Sequence, residues 1–124
     1  MEEYNFDEFN SVGTRFNPTI SLGDSERFYL GGSFCRKYNI SDMVGVKLMY
    51  DKAKNAVGFR FLKQKEDGMI GLKRLGKDSA YINAKAFLGM YDIEYKKFSN
   101  RYLPKEVNSG DKKILVIELK ETMK

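Results

Sequence analysis

The chain has 124 residues, 42% of them apolar and 31% charged, which suits one compact globular domain and excludes a disordered or low-complexity chain. No apolar run approaches the roughly 20 residues of a membrane helix, and with no histidine and the single cysteine Cys35 neither an internal disulfide nor a Cys/His metal site can form. The net charge of +5 is uneven: residues 1–10 carry four acids (Glu2, Glu3, Asp7, Glu8) and no base, so the rest holds 22 bases against 13 acids, a body suited to a polyanionic partner such as nucleic acid.

Residues 1–13 mix Tyr4, Phe6 and Phe9 with acids and amides and read as an acidic extension, unlike a leader peptide; with the lone cysteine this points to a reducing, cytoplasmic compartment. Residues 14–124 read as one domain. Pro18 bars a helix, residues 19–22 (TISL) read as a strand, residues 23–25 (GDS) as a turn, and residues 27–30 (RFYL) as the hairpin mate. Ser33, behind Gly31 and Gly32, is a plausible N-cap for a short helix over residues 34–38, on which Phe34 and Tyr38 share a face. Asn39, tolerant of a left-handed backbone, suits its end.

Val44, Val46 and Leu48 then alternate on one strand face, residues 51–55 (DKAKN) turn, and Val57, Phe59 and Phe61 return as the antiparallel mate. Residues 63–69 form a polar connector. Beyond it the same order is expected: a strand over residues 70–75, another over 80–82, a short helix around 84–91, and a hairpin of strands near 98–103 and 114–119. Residues 104–111 (PKEVNSGD) read as its long exposed loop.

This order is announced by an echo. Residues 80–93 (AYINAKAFLGMYDI) answer residues 27–40 (RFYLGGSFCRKYNI) at a spacing of 53, with Phe34, Tyr38, Asn39 and Ile40 matched by Phe87, Tyr91, Asp92 and Ile93. The strand-to-helix segment is one residue longer in the second copy. The fold expected is mainly β with short helices (α+β), built from tandem ββαββ repeats over residues 14–62 and 70–124. Units of this size are too small to stand alone, so their apolar faces should meet in one pseudo-twofold barrel. Such a chain is a monomer with an internal pseudo-dimer, or a homodimer.

Leu30 through Ile40, followed by Val44, Val46, Val57, Phe59 and Phe61, resembles the swapped-hairpin unit of the AbrB and SpoVT group, and two such units in one chain are similar to the tandem MraZ arrangement. The resemblance spans about residues 19–119; Arg27 and Arg36 fall on arginines of the family pattern, while Gly31 replaces its proline and Glu26 its glycine. It implies a swapped-hairpin barrel and a DNA-binding transcriptional regulator with no cofactor, metal or catalytic residue. The basic residues that would reach duplex DNA are Arg15, Arg27 and Arg36 in the first copy and Lys73, Arg74, Lys77 and Lys85 in the second.

Other chemistries were weighed against it. A protein-interaction module or small inhibitor on the same fold fits the missing proline and the asymmetric arginines. A metal-dependent nuclease would draw on Asp92, Glu94 and Lys96 with Asp78 upstream, although Asp92 stands where the first copy has the turn residue Asn39. Gly31-Gly32 and the glycines at 71 and 76 lack the phosphate-loop pattern. Cys35, beside Arg36 and Lys37, is either a reactive thiol or a small buried filler, and without histidine the filler is favoured. Aromatic side chains could stack bases, but the regular placement of Phe34, Tyr38, Phe59, Phe61, Phe87 and Tyr91 argues for core.

Overall fold

The computed structural model describes residues 18–121 except 24, 77 and 111, so the acidic extension lies outside the described residues. Among the described residues ten strands form two five-stranded sheets in which all the pairings between neighbours are antiparallel. Sheet I contains β1 (Ile20–Leu22), β2 (Arg27–Leu30), β6 (Lys73–Leu75), β7 (Ser79–Asn83) and β8 (Asn100–Tyr102), in the order β6-β7-β2-β1-β8. Sheet II contains β3 (Gly45–Asp51), β4 (Ala56–Leu62), β5 (Ile70–Gly71), β9 (Lys105–Ser109) and β10 (Lys112–Glu118), in the order β5-β3-β4-β10-β9. The described residues are therefore mainly β with two short α-helices, but their strands do not close into the single barrel expected from sequence.

Alternation decides which side of each sheet is inside, because successive strand residues point to opposite faces. Ile20, Leu22, Phe28, Leu30, Ala80 and Ile82 of sheet I are buried, as are Val46, Val57, Phe59, Leu115 and Ile117 of sheet II, and all belong to one hydrophobic cluster. At its centre the ring of Phe28 meets that of Phe59 edge-on, with centroids 5.0 Å apart. Burying each such ring is worth about 1.5–3 kcal/mol.

The helices plug opposite ends of the β3-β4 ladder. Helix α1 (Gly32–Lys37) buries Phe34, whose ring lies 5.7 Å from that of Phe61, while α2 (Lys85–Met90) buries Phe87, 6.2 Å from Tyr50. Within each, the rings four residues apart also meet: Phe34 with Tyr38 at 4.8 Å and Phe87 with Tyr91 at 5.2 Å. Asn39 and Asp92 follow the two helices with φ of 54° and 53°, the left-handed turn that frees Ile40 and Ile93 to enter the core. Ser33 is not the N-cap; Gly31 occupies that position, and the Ser33 hydroxyl lies buried with no hydrogen-bond partner.

Two further expectations change. The strand over residues 70–75 is two pieces: β5 pairs with β3 in sheet II, the chain crosses at Leu72, and β6 joins β7 in sheet I. Residues 104–111 are not a loop, since Lys105–Ser109 form an edge strand paired with β10. The hairpin mate of β10 is thus β9, and β8 pairs with β1 in the other sheet. A polar edge strand such as β9 carries no apolar alternation to betray it.

Candidate functional site

The inner rows of sheet I are committed to the core, which leaves its outer face. Register places Lys73 opposite Tyr81, Tyr81 opposite Tyr29, Tyr29 opposite Ser21 and Ser21 opposite Arg101, one continuous row across all five strands. Arg27 stands one alternation away from Tyr29, on the same face, with its guanidinium 4.5 Å from the centroid of the Tyr81 ring. The Tyr29 and Tyr81 rings lie 6.0 Å apart. Ordinary strand spacing sets Lys73 and Arg101 about 19 Å apart, with the tyrosines between them.

The Tyr29 hydroxyl is held by the Ser25 hydroxyl at 3.1 Å. That hydrogen bond, and then one from Arg27, pulls its pKa below the usual phenol range. Beside Tyr29 a groove of about 640 Å³ runs toward α1, lined by Thr19, Ser21, Ser79, Arg36 and Arg101 among others. Arg36 spans its wall to Asp78 at 3.6 Å.

Charge compensation separates the two sheets. On sheet II, Lys47 and Arg60 both reach Glu66, at 3.1 and 3.5 Å, and Lys105 reaches Glu118 at 3.3 Å. The Lys47 hydrogen bond to Glu66 is the first cause holding that carboxyl below its usual range. Among the described residues Arg27, Lys73 and Arg101 make no ion pair. The outer face of sheet I therefore presents these three cations without carboxylate partners among the described residues.

Of the basic residues expected from sequence, the structure brings Arg27 and Lys73 onto this face and Arg36 to its rim. Arg74 is removed from it: register sets Arg74 opposite the buried Ala80, and its guanidinium donates to the carbonyls of Ile40, Ser41 and Met43 at 3.0, 3.4 and 2.7 Å. It ties the turn after α1 to the edge of sheet I, a structural task that one alternation step separates from Lys73. Lys85 begins α2, off the sheet, with its backbone N–H donating to the Asn83 side chain at 3.1 Å. Arg15 and Lys77 lie outside the described residues.

Arg101, Tyr29 and Tyr81 are the residues that sequence reasoning missed. Each alternates with a buried neighbour, Tyr102, Phe28 with Leu30, and Ala80 with Ile82, so strict period-two reading would have turned them outward. The six aromatics assigned to the core are mostly there. Phe34, Phe59 and Phe87 are buried, Tyr38 and Phe61 half-buried against the cluster, and only Tyr91 is exposed.

The remaining candidates are engaged elsewhere. Asp78 pairs with Arg36, Glu94 with Lys97 at 2.8 Å, and Asp92 is the left-handed residue after α2. The described residues bring no three His, Cys, Asp or Glu side chains together. The half-buried Cys35 thiol donates to the Leu30 carbonyl at 3.6 Å, and burial pushes its pKa up against the pull of Arg74 and Arg36, the reverse of an activated thiolate. Among the described residues no helix is long and apolar enough to cross a membrane. Comparison with protein-family models, curated proteins and solved structures finds no match to this chain.

Proposed function

We propose that the protein is a cytoplasmic, non-enzymatic DNA-binding regulator of the swapped-hairpin type, which holds duplex DNA against the outer face of sheet I. The observation that carries this reading is the uncompensated cationic row, Lys73 at one edge, Arg101 at the other and Arg27 between. A five-stranded face about 19 Å across is too wide to enter the ~12 Å major groove as a two-stranded ribbon does. It would lie over the groove, with the edge cations on phosphates to either side and Arg27 placed for the base edges.

A tandem-repeat origin is part of the same proposal. Each sheet joins a hairpin of the first half to one of the second: β1-β2 meets β6-β7 through β2 and β7, and β3-β4 meets β9-β10 through β4 and β10. Tyr29 and Tyr81 pair with each other at the middle of sheet I, where a pseudo-twofold axis would pass. The left-handed Asn39 and Asp92 end equivalent helices. The resulting body is a two-sheet sandwich version of the internal pseudo-dimer.

Mobility shift of a mixed-sequence duplex tests the function. Binding is expected at about 50 mM salt, weakening steeply by about 200 mM as released counterions are paid back. No shift at the lower salt would overturn it and leave the second reading, a protein-interaction module. That reading is favoured by a groove of about 410 Å³ on sheet II, where Met49, Val107, Ile114 and Val116 surround Gly58.

A further inference from the structure

The two tyrosines on sheet I do something that phosphate binding does not require. An outer face that only neutralised a backbone would be served by lysines and small polar residues. Here Tyr29 and Tyr81 occupy the centre of the row, neither ring joins the hydrophobic cluster, and both stay partly open to solvent. The rings are fixed from below and beside: Ser25 holds the Tyr29 hydroxyl, and Arg27 lies on Tyr81. A guanidinium plane stacked on a ring is itself a surface on which a base can lie.

We infer that Tyr29, with the Arg27–Tyr81 stack beside it, is a platform for unpaired bases, so that the same face takes single-stranded nucleic acid. The inference rests on the nucleic-acid reading above and names a further ligand class for that site. Bases stack on aromatic rings regardless of identity, because every base has a π face. A sheet with two central aromatics can seat successive bases in this way while cations at its edges follow the backbone.

The groove beside Tyr29 supplies room for the rest of a nucleotide. Its volume of about 640 Å³ falls in the range of pockets that bury a small ligand. Its walls offer the hydroxyls of Thr19, Ser21 and Ser79 for sugar and phosphate oxygens and the guanidinium of Arg101 for the negative charge, with Arg36 neutralising the one carboxylate of the described lining, Asp78. Ser33, whose hydroxyl is buried and has no hydrogen-bond partner, also borders this groove. With a base on Tyr29, the adjoining phosphate faces Arg101 across Ser21, its neighbour in the row. A duplex can bring a phosphate to Arg101 but no base to Tyr29, since its bases are already stacked and paired.

The test is fluorescence anisotropy of the full chain with labelled oligo-dT, oligo-U and a mixed duplex, at one salt concentration, using the wild type, Tyr29→Leu and Tyr29→Phe. Tyr29→Leu should weaken binding to at least one single strand roughly 5- to 150-fold, the range for losing one stacked base. Its effect on the duplex should stay below about twofold, a change within the scatter of surface substitutions. Tyr29→Phe, which keeps the ring, should bind the single strand nearly as the wild type does, and so controls for loss of fold. The two single strands separate DNA from RNA as the source of the bases. The platform is overturned if Tyr29→Leu leaves both single strands unchanged, or weakens single strand and duplex alike. Failure of the wild type to bind any of the three would instead remove the nucleic-acid reading itself.

Discussion

Gly45 shows how tightly single residues are determined. It is buried at the start of β3, and a Cβ there would fall 2.7 Å from the Ile70 carbonyl oxygen and collide with the Met69 side chain. Met69 can move, but the β5 backbone cannot without losing its pairing to β3. Gly45→Ala should therefore cost about 1–3 kcal/mol, read as a lower urea midpoint. Arg74 and Lys73 are adjacent in sequence and opposite in role. Arg74→Ala removes a donor from three carbonyls, of which that of Ile40 keeps the Met43 N–H; because the site is partly solvated, a loss of about 1 kcal/mol is expected, with no change in the salt dependence of DNA binding. Lys73→Ala should do the reverse.

Cys35 gives a pH dependence of definite sign. Burial raises its pKa, so the folded chain holds the thiol proton more tightly than the unfolded chain does. Its contribution to stability is complete below the ordinary thiol range and declines as pH rises through about 8.5 and beyond. Tyr102 and Tyr38, also raised by burial, extend the decline from about pH 10, while Tyr29, lowered chiefly by Ser25, opposes it. Urea midpoints at about pH 7.5 and 9.5 should fall in the wild type and fall less in Cys35→Ala; equal slopes would show that the thiol does not report burial.

At the scale of elements, much of the chain was legible. The aromatic letters of residues 27–30 and the alternation of Val57, Phe59 and Phe61 located β2 and β4, and the residues matched in the 53-residue echo located both helices and their left-handed ends. What escaped has physical reasons. A strand that changes sheets at Leu72 keeps its apolar letters on both sides of the crossing, so nothing in them marks the break. The charged edge strand β9 is stabilised by ladder bonds and by Lys105 on Glu118, which hydropathy does not register. The tyrosines of sheet I carried aromatic letters that pass for core, although their alternation with Phe28 and Ala80 faced them outward. The edge-on contact of Phe28 with Phe59 joins the two sheets and gives a direct check on the sandwich. Phe28→Ala should cost about 3–5 kcal/mol, and Phe28→Ala with Phe59→Ala should cost less than the sum, because the two changes remove one shared contact.

For the whole molecule, the proposed function rests on an asymmetry between its two outer faces. Sheet II pairs Lys47, Arg60 and Lys105 with carboxylates and surrounds an apolar groove, whereas sheet I leaves Arg27, Lys73 and Arg101 without ion-pair partners among the described residues. A duplex bound to sheet I must release counterions in proportion to the phosphates those cations neutralise. The direct measurement is the affinity for a labelled duplex between about 50 and 200 mM salt, for the wild type and for the combined Arg27→Ala, Lys73→Ala, Arg101→Ala variant, with circular dichroism to show that the fold is kept. The slope of log K against log salt should become shallower by roughly 1.8 in the variant if Lys73 and Arg101 each neutralise one phosphate. An unchanged slope in a folded variant would contradict the assignment of this face.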